Sequence, residues 1–341
     1  MIDIQKKYRR VGIDIGSFSV KVVALEKGIF DKSQTLSYAI EYLPQQATAF
    51  QISECIKRTL SKAGITTLKV NISVSGPEVI FRYLQFPLLR DPEIVETIKL
   101  EWDKYIPFKL EEVIWDFEIL NIISDPLKGR QKLVLLVATK KDFLTQQMHL
   151  IKDAGLEPDI IDTNVTCLVN TFNFFQPEKS KNSLIALINI GELVANLIIL
   201  KDGIPRFSRD ILFGGRDITH LIAQKKRLNF QEAQELKHNF KGDDEEVLST
   251  INSSVGNLIN EISLSFEYLK QELQEAIKTI YISGGTLHLH GIKESLHQGL
   301  GINIETWKLN NHLAFKAKTP KNNLEECFPE LVVALGLALP R

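Results

Sequence analysis

Two stretches of the chain repeat one pattern of apolar and polar positions. Residues 11–28 read VGIDIGSFSVKVVALEKG, and residues 186–203 read ALINIGELVANLIILKDG. Each predicts an apolar strand, a tight turn at a glycine, a second apolar strand and a further turn that contains glycine. When the two are aligned without a gap, Asp14 corresponds to Asn189 and the glycines of the tight turns coincide. Two such hairpins, about half the chain apart, predict two related lobes.

Outside the repeat, strand and helix patterns follow one another in both halves of the chain, which predicts a mixed α/β protein. The main predicted elements are three strands within 9–42, a helix over 49–63, a hairpin formed by 70–76 and 79–86 around Gly76-Pro77, and a long helix within 245–275. A further helix is predicted to run from Asp91, as its N-cap, to about Tyr105, with Pro92 at the first helical position.

Composition sets limits on the class of protein. The chain has 341 residues, of which 44% are apolar and 24% charged, so it is long enough for two lobes with separate cores. A net charge of −1 gives no support for a nucleic-acid or anionic-membrane surface. Three scattered cysteines without CxxC spacing indicate a reducing compartment. Because neither a secretory signal nor a long apolar run is present, we expect a cytoplasmic protein without a transmembrane helix.

The first tight turn carries the clearest candidate site. Asp14 ends an apolar strand, where a buried unpaired carboxylate would be costly. The turn at Gly16 exposes backbone N–H groups that can cradle phosphate. Ser17 and Ser19 can donate hydrogen bonds to phosphate oxygens, and Lys21 can neutralise charge. Asp14 could hold a hydrated Mg²⁺ ion, which prefers oxygen ligands. The alternative is a plain β-turn with a solvated Asp14.

The second tight turn lacks this chemistry. Asn189 stands where the first turn has an acid, and the sequence after Gly191 is ELVA, without a hydroxyl group. An amide cannot act as a general base, although backbone donors at Gly191 could still bind phosphate; a purely structural hairpin stays equally open. Two glycine pairs at strand or helix ends could let backbone approach a ligand closely: Gly214 with Gly215, and Gly284 with Gly285, followed by Thr286.

Other polar residues are less informative. Glu261 lies in the predicted long helix, where most glutamates belong to a solvated face. His288 and His290 form an HxH pair, but no third metal ligand is evident, so a surface role is expected. The sequence contains neither a Walker A motif nor a GxSxG motif.

These segments resemble a known family. VGIDIGSFSVKVVAL looks like the first phosphate motif of the actin-like ATPase superfamily, LINIGELVANLIILKDG like its second, and TIYISGGTLHLHGI like its adenosine motif. Five further segments are similar to the PilM family of type IV pilus assembly proteins: SGPEVIFRYLQFPLL, the helix ending in YIPFKLEEVIWDFEIL, LLVATKKDFLTQQMHLIKDAGLEPDIID, GIPRFSRDILFGGRDITHLIA and the tail VVALGLALPR. The resemblance extends, in order, over nearly the whole chain.

The resemblance implies a two-lobed actin-like (ribonuclease H-like) α/β fold with an inserted small α/β subdomain, and with ATP and Mg²⁺ between the lobes. The implied parts are a lobe I core of 1–37, 161–182 and 325–341, an inserted subdomain of 38–160, a lobe II core of 183–215 and 277–324, and a helical subdomain of 216–276.

The resemblance also assigns roles to residues. The first phosphate site would comprise Asp14, Gly16, Ser17, Ser19 and Lys21, with Asp14 holding Mg²⁺ through water, and the second would be at Gly191. The nucleoside side would comprise Gly214, Gly215, Gly284, Gly285 and Thr286, with Glu261 as a ribose contact. The family's second motif usually reads Asp-x-Gly, so Asn189 predicts ATP binding with very slow or absent hydrolysis.

The implied partner is a PilN-like bitopic membrane protein, whose N-terminal cytoplasmic peptide would be captured by the inserted subdomain. The protein would thus be peripheral to the inner membrane without inserting into it, and would contact the pilus motor ATPases or the platform protein. The candidate groove lining is Phe81, Tyr83, Leu84 and Phe86. Alternate members of this set are expected to face the core instead.

Three other functions remain open. A division-type tether like FtsA would need a C-terminal amphipathic helix, whereas this chain stops at Leu339-Pro340-Arg341 after a core-like helix. A sugar or acetate kinase would need a catalytic base, and we find no candidate for it at the second hairpin, where Asn189 stands in place of an acid. A type II secretion platform protein should continue into a transmembrane helix.

Overall fold

The computed structural model describes residues 9–27, 34–125, 129–181, 183–307, 313–315 and 324–340. The strands are β1 (Arg9–Ile15), β2 (Ser19–Lys27), β3 (Gln34–Tyr42), β4 (Lys69–Val74), β5 (Val79–Phe86), β6 (Val113–Asp125), β7 (Gly129–Lys140), β8 (Glu157–Thr163), β9 (Leu184–Ile190), β10 (Ala195–Lys201), β11 (Ile204–Ile211), β12 (Thr279–Ser283), β13 (Asn303–Thr306) and β14 (Leu313–Phe315). The helices are α1 (Ala49–Lys62), α2 (Asp91–Leu100), α3 (Trp102–Tyr105), α4 (Lys141–Asp153), α5 (Asn164–Phe175), α6 (Pro177–Ser180), α7 (Gly215–Lys226), α8 (Phe230–Asn239), α9 (Glu245–Leu273), α10 (Ile292–Leu300) and α11 (Leu324–Ala338).

The two large sheets share a topology of five strands, to which the lobe I sheet adds β14 at one edge. One has the strand order β14-β3-β2-β1-β4-β8, and the other has the order β11-β10-β9-β12-β13. In both, an antiparallel meander of three strands is followed by two parallel strands on the side of its first strand. The repeat of 11–28 in 186–203 is therefore the local part of a duplicated lobe. Gly28, which ends the first copy, lies outside the described residues.

Helices cover both faces of the lobe II sheet. Leu187 and Ile198 pack with side chains of α5 and α11, which lie between the two large sheets. Ile188 and Leu197, their neighbours along the strands, pack on the other face with α9 and α10. Because both faces are buried, β9 and β10 are almost unbroken apolar runs rather than alternating ones.

The predicted hairpin of 70–76 and 79–86 is wrong. β4 pairs with β1 and β8 in the lobe I sheet, whereas β5 pairs with β7 in a separate sheet of order β5-β7-β6. The chain leaves lobe I through Gly76, whose positive φ of 106° favours glycine. Both segments are strands, as the pattern predicted, but a period of two does not identify the partner strand.

Strand pairing differs from the predicted parts at two places. Part of β3 and all of α1 and β4 fall within the interval 38–160, yet both strands belong to the lobe I sheet, so the inserted sheet consists only of β5, β6 and β7. β14 falls within the interval predicted for lobe II, yet it pairs in parallel with β3. The remaining boundaries stay a prediction.

The helix predicted from Asp91 begins there, but Arg90 is its N-cap. Arg90 has extended backbone angles, and its amide donates to the Glu93 carboxylate at 2.7 Å. The helix stops at Leu100, and a separate short helix continues to Tyr105. Within the ranges that the structure describes, no helix combines the length and the apolar character needed to span a membrane.

Candidate functional site

The two tight turns have the same geometry. The Gly16 amide donates to the Ser19 carbonyl at 3.0 Å, and the Gly191 amide donates to the Val194 carbonyl, also at 3.0 Å. Each turn joins the first two strands of its lobe's sheet. The backbone of the second turn therefore matches that of the first, although it lacks the hydroxyl groups.

The side chains beneath the two turns differ in charge. In lobe I, Asp14 and Lys21 face each other across β1 and β2, and their carboxylate and ammonium groups are 3.2 Å apart. In lobe II, Asn189 and Asn196 occupy the matching positions, and the Asn189 amide nitrogen donates to the Asn196 side-chain oxygen at 3.1 Å. An ion pair in one lobe is thus replaced by a pair of amides in the other.

The glycine pairs meet at the second turn. The carbonyl oxygen of Gly191 accepts from the Gly215 amide at 3.0 Å and from the Thr286 hydroxyl at 2.8 Å. A Cβ on Gly214 would lie 2.3 Å from the Glu192 carbonyl group, and one on Gly284 would lie 2.3 Å from the Ile190 carbonyl oxygen. These two glycines therefore permit close backbone packing.

Gly285 differs from its neighbours. A Cβ there would meet only the Glu330 side chain, at 3.5 Å, which is ordinary van der Waals contact. Packing therefore does not require a glycine at this position, and the space beside it is open to a ligand.

A cavity of about 370 Å³ lies between the lobes, which is within the usual size range of small-molecule sites. Both turns contribute to its wall, through Ser17 and Glu192. Its other lining residues are Phe18, Leu43, Pro44 and Gln45 from lobe I, and Arg216, Phe230, Gln231, Gln234 and Glu235 from lobe II. The rings of Phe18 and His238 stack across the lobes with centroids 5.7 Å apart.

A buried pair of opposite charges lies beside the second turn. The Lys237 ammonium donates to the Gly215 carbonyl at 2.8 Å and lies 3.8 Å from the Glu192 carboxylate. Burial raises the pKa of Glu192 and lowers the pKa of Lys237, and each charge partly offsets the shift of the other. Sequence reasoning missed Lys237. The sequence feature that could have identified Lys237 is its position one helical turn after Ala233, which puts both residues on the buried face of α8.

The residues beneath the first turn fit a Mg²⁺ ion that keeps most of its waters. Asp14 supplies one nearly buried carboxylate, and such an ion can take its remaining ligands from water and phosphate. Among the described residues, no group of three His, Cys, Asp or Glu side chains is arranged to hold a metal by itself.

Glu261 is engaged elsewhere. Its carboxylate accepts from the Arg209 guanidinium at 2.7 Å, which joins α9 to β11. Helices α7 and α8 line the cavity, α7 through Arg216 and α8 through Gln231, Gln234 and Glu235, whereas no residue of α9 is among its lining residues. The role of Glu261 as a ribose contact stays a prediction.

His288 joins the lobes. Its Nε2 atom lies 2.8 Å from the carboxylate of Glu330 in α11, and this hydrogen bond raises the pKa of His288. Nearby, the Gly284 amide donates to the Pro329 carbonyl at 2.8 Å. His288 lies at the surface, as predicted, with its side chain 47% exposed, and its ring also forms an interlobe contact that sequence spacing could not reveal.

The four predicted groove residues do not share one face of the inserted sheet. Phe81 is buried, and Tyr83 packs on the same side, toward the lobes. Leu84 and Phe86 pack on the other side, with α2 and α3, and Phe86 is buried. Because successive side chains of a strand point to opposite faces, two of the four residues lie on each face. Of the four, Tyr83 and Leu84 have partly exposed side chains.

The fold and the paired turns define an actin-like protein with two lobes. A family model described as type IV pilus assembly protein PilM matches residues 12–341. The chain therefore belongs to the PilM family of type IV pilus assembly proteins.

Individual relatives agree with this assignment. A solved PilM-PilN type IV pilus biogenesis complex matches with a TM-score of 0.84 and 25% identity, over 96% of this chain and 97% of that one. The ethanolamine utilization protein EutJ from Carboxydothermus hydrogenoformans has a TM-score of 0.57 and 14% identity, over 99% and 92%, and shows the fold alone. Cell division protein FtsA from Staphylococcus epidermidis is 23% identical over 344 residues, which is 84% of this chain and 71% of FtsA.

Proposed function

We propose that this protein is a nucleotide-binding scaffold of the type IV pilus inner-membrane assembly platform, and that it binds the N-terminal cytoplasmic peptide of a PilN-like protein. The observation that carries the proposal is the likeness, over 96% of the chain, to a PilM-PilN complex. The two matching turns, which face one interlobe cavity, support the nucleotide part of the proposal.

ATP would lie between the two turns. Backbone amides of the turns would hold its phosphates, with Ser17 and Ser19 as hydroxyl donors, because turn amides form anion-binding concavities. Asp14 would hold Mg²⁺ through water, and Lys21, now paired with it, would turn toward phosphate. The nucleoside would pass beside Gly285, where space is open. The Mg²⁺ ion would offset the charge of the phosphates.

Hydrolysis would be very slow. Asn189 occupies the position that holds an acid in the first turn, and its side chain is already bonded to Asn196 and Ser283. An amide cannot take a proton from an attacking water, so the second turn offers no general base at this position.

The inserted sheet would bind the peptide. β5 and β6 are its outer strands, and an extended peptide can add to a sheet edge while its side chains fill apolar pockets. The β5 edge is the one we propose for the peptide, because Leu84 there is half-buried and can offer apolar contact. Ile114, 49% exposed, lies on β6 at the opposite edge. The protein would then reach the cytoplasmic side of the inner membrane through this partner.

Fluorescence anisotropy with a labelled N-terminal PilN-like peptide tests the partner. We expect saturable binding to the wild type and at least tenfold weaker binding by Leu84→Asp, whereas Ile114→Asp, on the opposite edge of the sheet, should bind normally. Leu264→Asp is the matched control, because Leu264 is 60% exposed on α9, outside the inserted sheet, and should bind normally. Equal affinity of all three variants, or no binding by the wild type, would refute the peptide site.

Cell fractionation tests recruitment. In cells that contain the PilN-like partner, the protein should sediment with inner membranes, and Leu84→Asp should release it to the cytosol. If the protein stays on membranes in cells that lack the partner, recruitment through that partner is wrong.

A further inference from the structure

A row of polar side chains crosses the lobe II sheet beneath the second turn. Ser283, Asn189, Asn196 and Asp210 lie side by side on β12, β9, β10 and β11. The Ser283 hydroxyl donates to the Asn189 side-chain oxygen at 3.2 Å, and the Asn189 amide nitrogen donates to Asn196 at 3.1 Å. The Asn196 amide nitrogen then donates to one Asp210 oxygen at 2.7 Å. The row is therefore continuous over four strands.

The row ends on the inserted subdomain's side of the molecule. The second carboxylate oxygen of Asp210 accepts from the backbone amide of Gly76 at 2.5 Å. Gly76 is buried in the segment that leads from β4 into the inserted sheet. Close by, the Tyr83 hydroxyl of β5 donates to Ser208 of β11 at 3.1 Å. Asp210 thus joins the strand row beneath the second turn to the start of the inserted sheet.

The carboxylate fixes the direction of every hydrogen bond in the row. An ionised carboxylate only accepts, so Asn196 must present its NH₂ group to Asp210 and its oxygen to Asn189. Asn189 must then present its NH₂ group to Asn196 and its oxygen to Ser283. An acid at position 189 would face the oxygen of Asn196, and neither could donate.

The same positions in lobe I carry a different arrangement. There the acid is Asp14 on the first strand, paired with Lys21 on the second, and Ile40 faces Lys21 on the third. In lobe II the carboxylate lies on the third strand instead. Lobe II therefore lacks an acid at position 189, on its first strand, and has one at position 210, on its third.

We propose that Asp210 is a positioning residue that couples the peptide-binding sheet to the second phosphate turn. This inference rests on the proposed function. Peptide binding moves Gly76, and the row of hydrogen bonds then changes the position of Asn189 beneath the turn. Such coupling is reciprocal: peptide changes ATP affinity by the same factor as ATP changes peptide affinity. We expect a factor of about fivefold or more in the wild type.

Two variants test the row. Asp210→Leu removes both acceptor oxygens, so the Gly76 bond and the Asn196 bond are both lost. Asp210→Asn keeps one oxygen that accepts from Gly76 and presents its NH₂ group to Asn196. Asn196 and Asn189 can then turn over, and the Ser283 hydroxyl accepts at the end of the row, because a hydroxyl both donates and accepts. The three bonds between side chains are thus kept with their direction reversed.

Calorimetry of ATP binding, with and without saturating peptide, measures the coupling. We expect about fivefold or more for the wild type, less than twofold for Asp210→Leu, and a factor close to that of the wild type for Asp210→Asn. Lys201→Met removes an ion pair of the same sheet with Glu275, 3.1 Å apart and outside the row, and should keep the wild-type factor. An unchanged factor in Asp210→Leu, or a wild-type factor of one, would overturn the proposal.

Hydrogen exchange at the Gly76 amide gives a readout that does not depend on ATP. Exchange should be faster in Asp210→Leu and slow in Asp210→Asn. Unchanged protection in Asp210→Leu would sink the inference, as would an Asp210→Asn protein whose Gly76 amide exchanges much faster than that of the wild type. If the wild type binds no ATP at all, the proposed function fails and the coupling fails with it, even where the exchange pattern holds.

Discussion

Replacing each glycine of the Gly284-Gly285 pair by alanine separates packing from ligand approach. At Gly284, φ is +99°, and an added Cβ would lie 2.3 Å from the Ile190 carbonyl oxygen. At Gly285, the added Cβ would meet only the Glu330 side chain, at 3.5 Å. The two positions are adjacent, so one serves as the matched control of the other.

The magnitudes follow from these distances. A side chain in a backbone conformation reserved for glycine costs about 1–3 kcal/mol, and overpacking against backbone costs about 1–3 kcal/mol more, so Gly284→Ala should lose about 2–6 kcal/mol of unfolding free energy. Gly285→Ala should stay within about 0.5 kcal/mol of the wild type. Its methyl group would nevertheless stand where the nucleoside passes, so ATP affinity should fall at least tenfold.

Urea unfolding followed by circular dichroism measures the first effect, and calorimetry with ATP measures the second. Equal stability of the two variants would show that the packing at Gly284 does not hold in solution. Unchanged ATP affinity in Gly285→Ala would place the nucleoside elsewhere.

Three further predictions address charge and chemistry. Lys237→Met should leave the Glu192 carboxylate buried without its ammonium partner and cost about 3–5 kcal/mol in urea unfolding; an additional Glu192→Gln should recover most of this, and no recovery would contradict the pairing. The pKa of His288 is raised in the folded state, so its contribution to stability is fully present below the ordinary histidine pKa of 6.5 and is lost as pH rises through the folded-state pKa. Thermal unfolding measured from pH 6 to 9 should show this loss in the wild type but not in His288→Gln. Phosphate release should be far slower than about 1 per second; a faster rate that disappears in Asp14→Ala would show that this site hydrolyses ATP.

Local patterns were enough to predict the two repeated hairpins and most helices. The repeat at Asp14 and Asn189 is visible in the sequence, and it corresponds to two turns with equal hydrogen-bond geometry. Helix α9 spans Glu245–Leu273, close to its predicted range. These elements depend on neighbours in sequence, which is why periodicity and turn residues could identify them.

Features that depend on distant strands were not predictable. Nothing in the sequence near Gly76 shows that its amide meets Asp210, or that β4 and β5 belong to different sheets. Lys237 was missed because its partner Glu192 belongs to another element, and their attraction arises only after folding. Phe81 appeared available to a partner because alternation alone does not tell which face of a sheet is covered.

Calorimetric titration of the full chain with ATP, in Mg²⁺ and in EDTA, tests the central claim most directly. The account predicts binding that is tighter in Mg²⁺, with the Mg²⁺-dependent part weakened in Asp14→Ala, because Asp14 supplies the carboxylate beneath the first turn. The absence of binding at about 1 mM ATP, a threshold of about −4 kcal/mol, would contradict the nucleotide site.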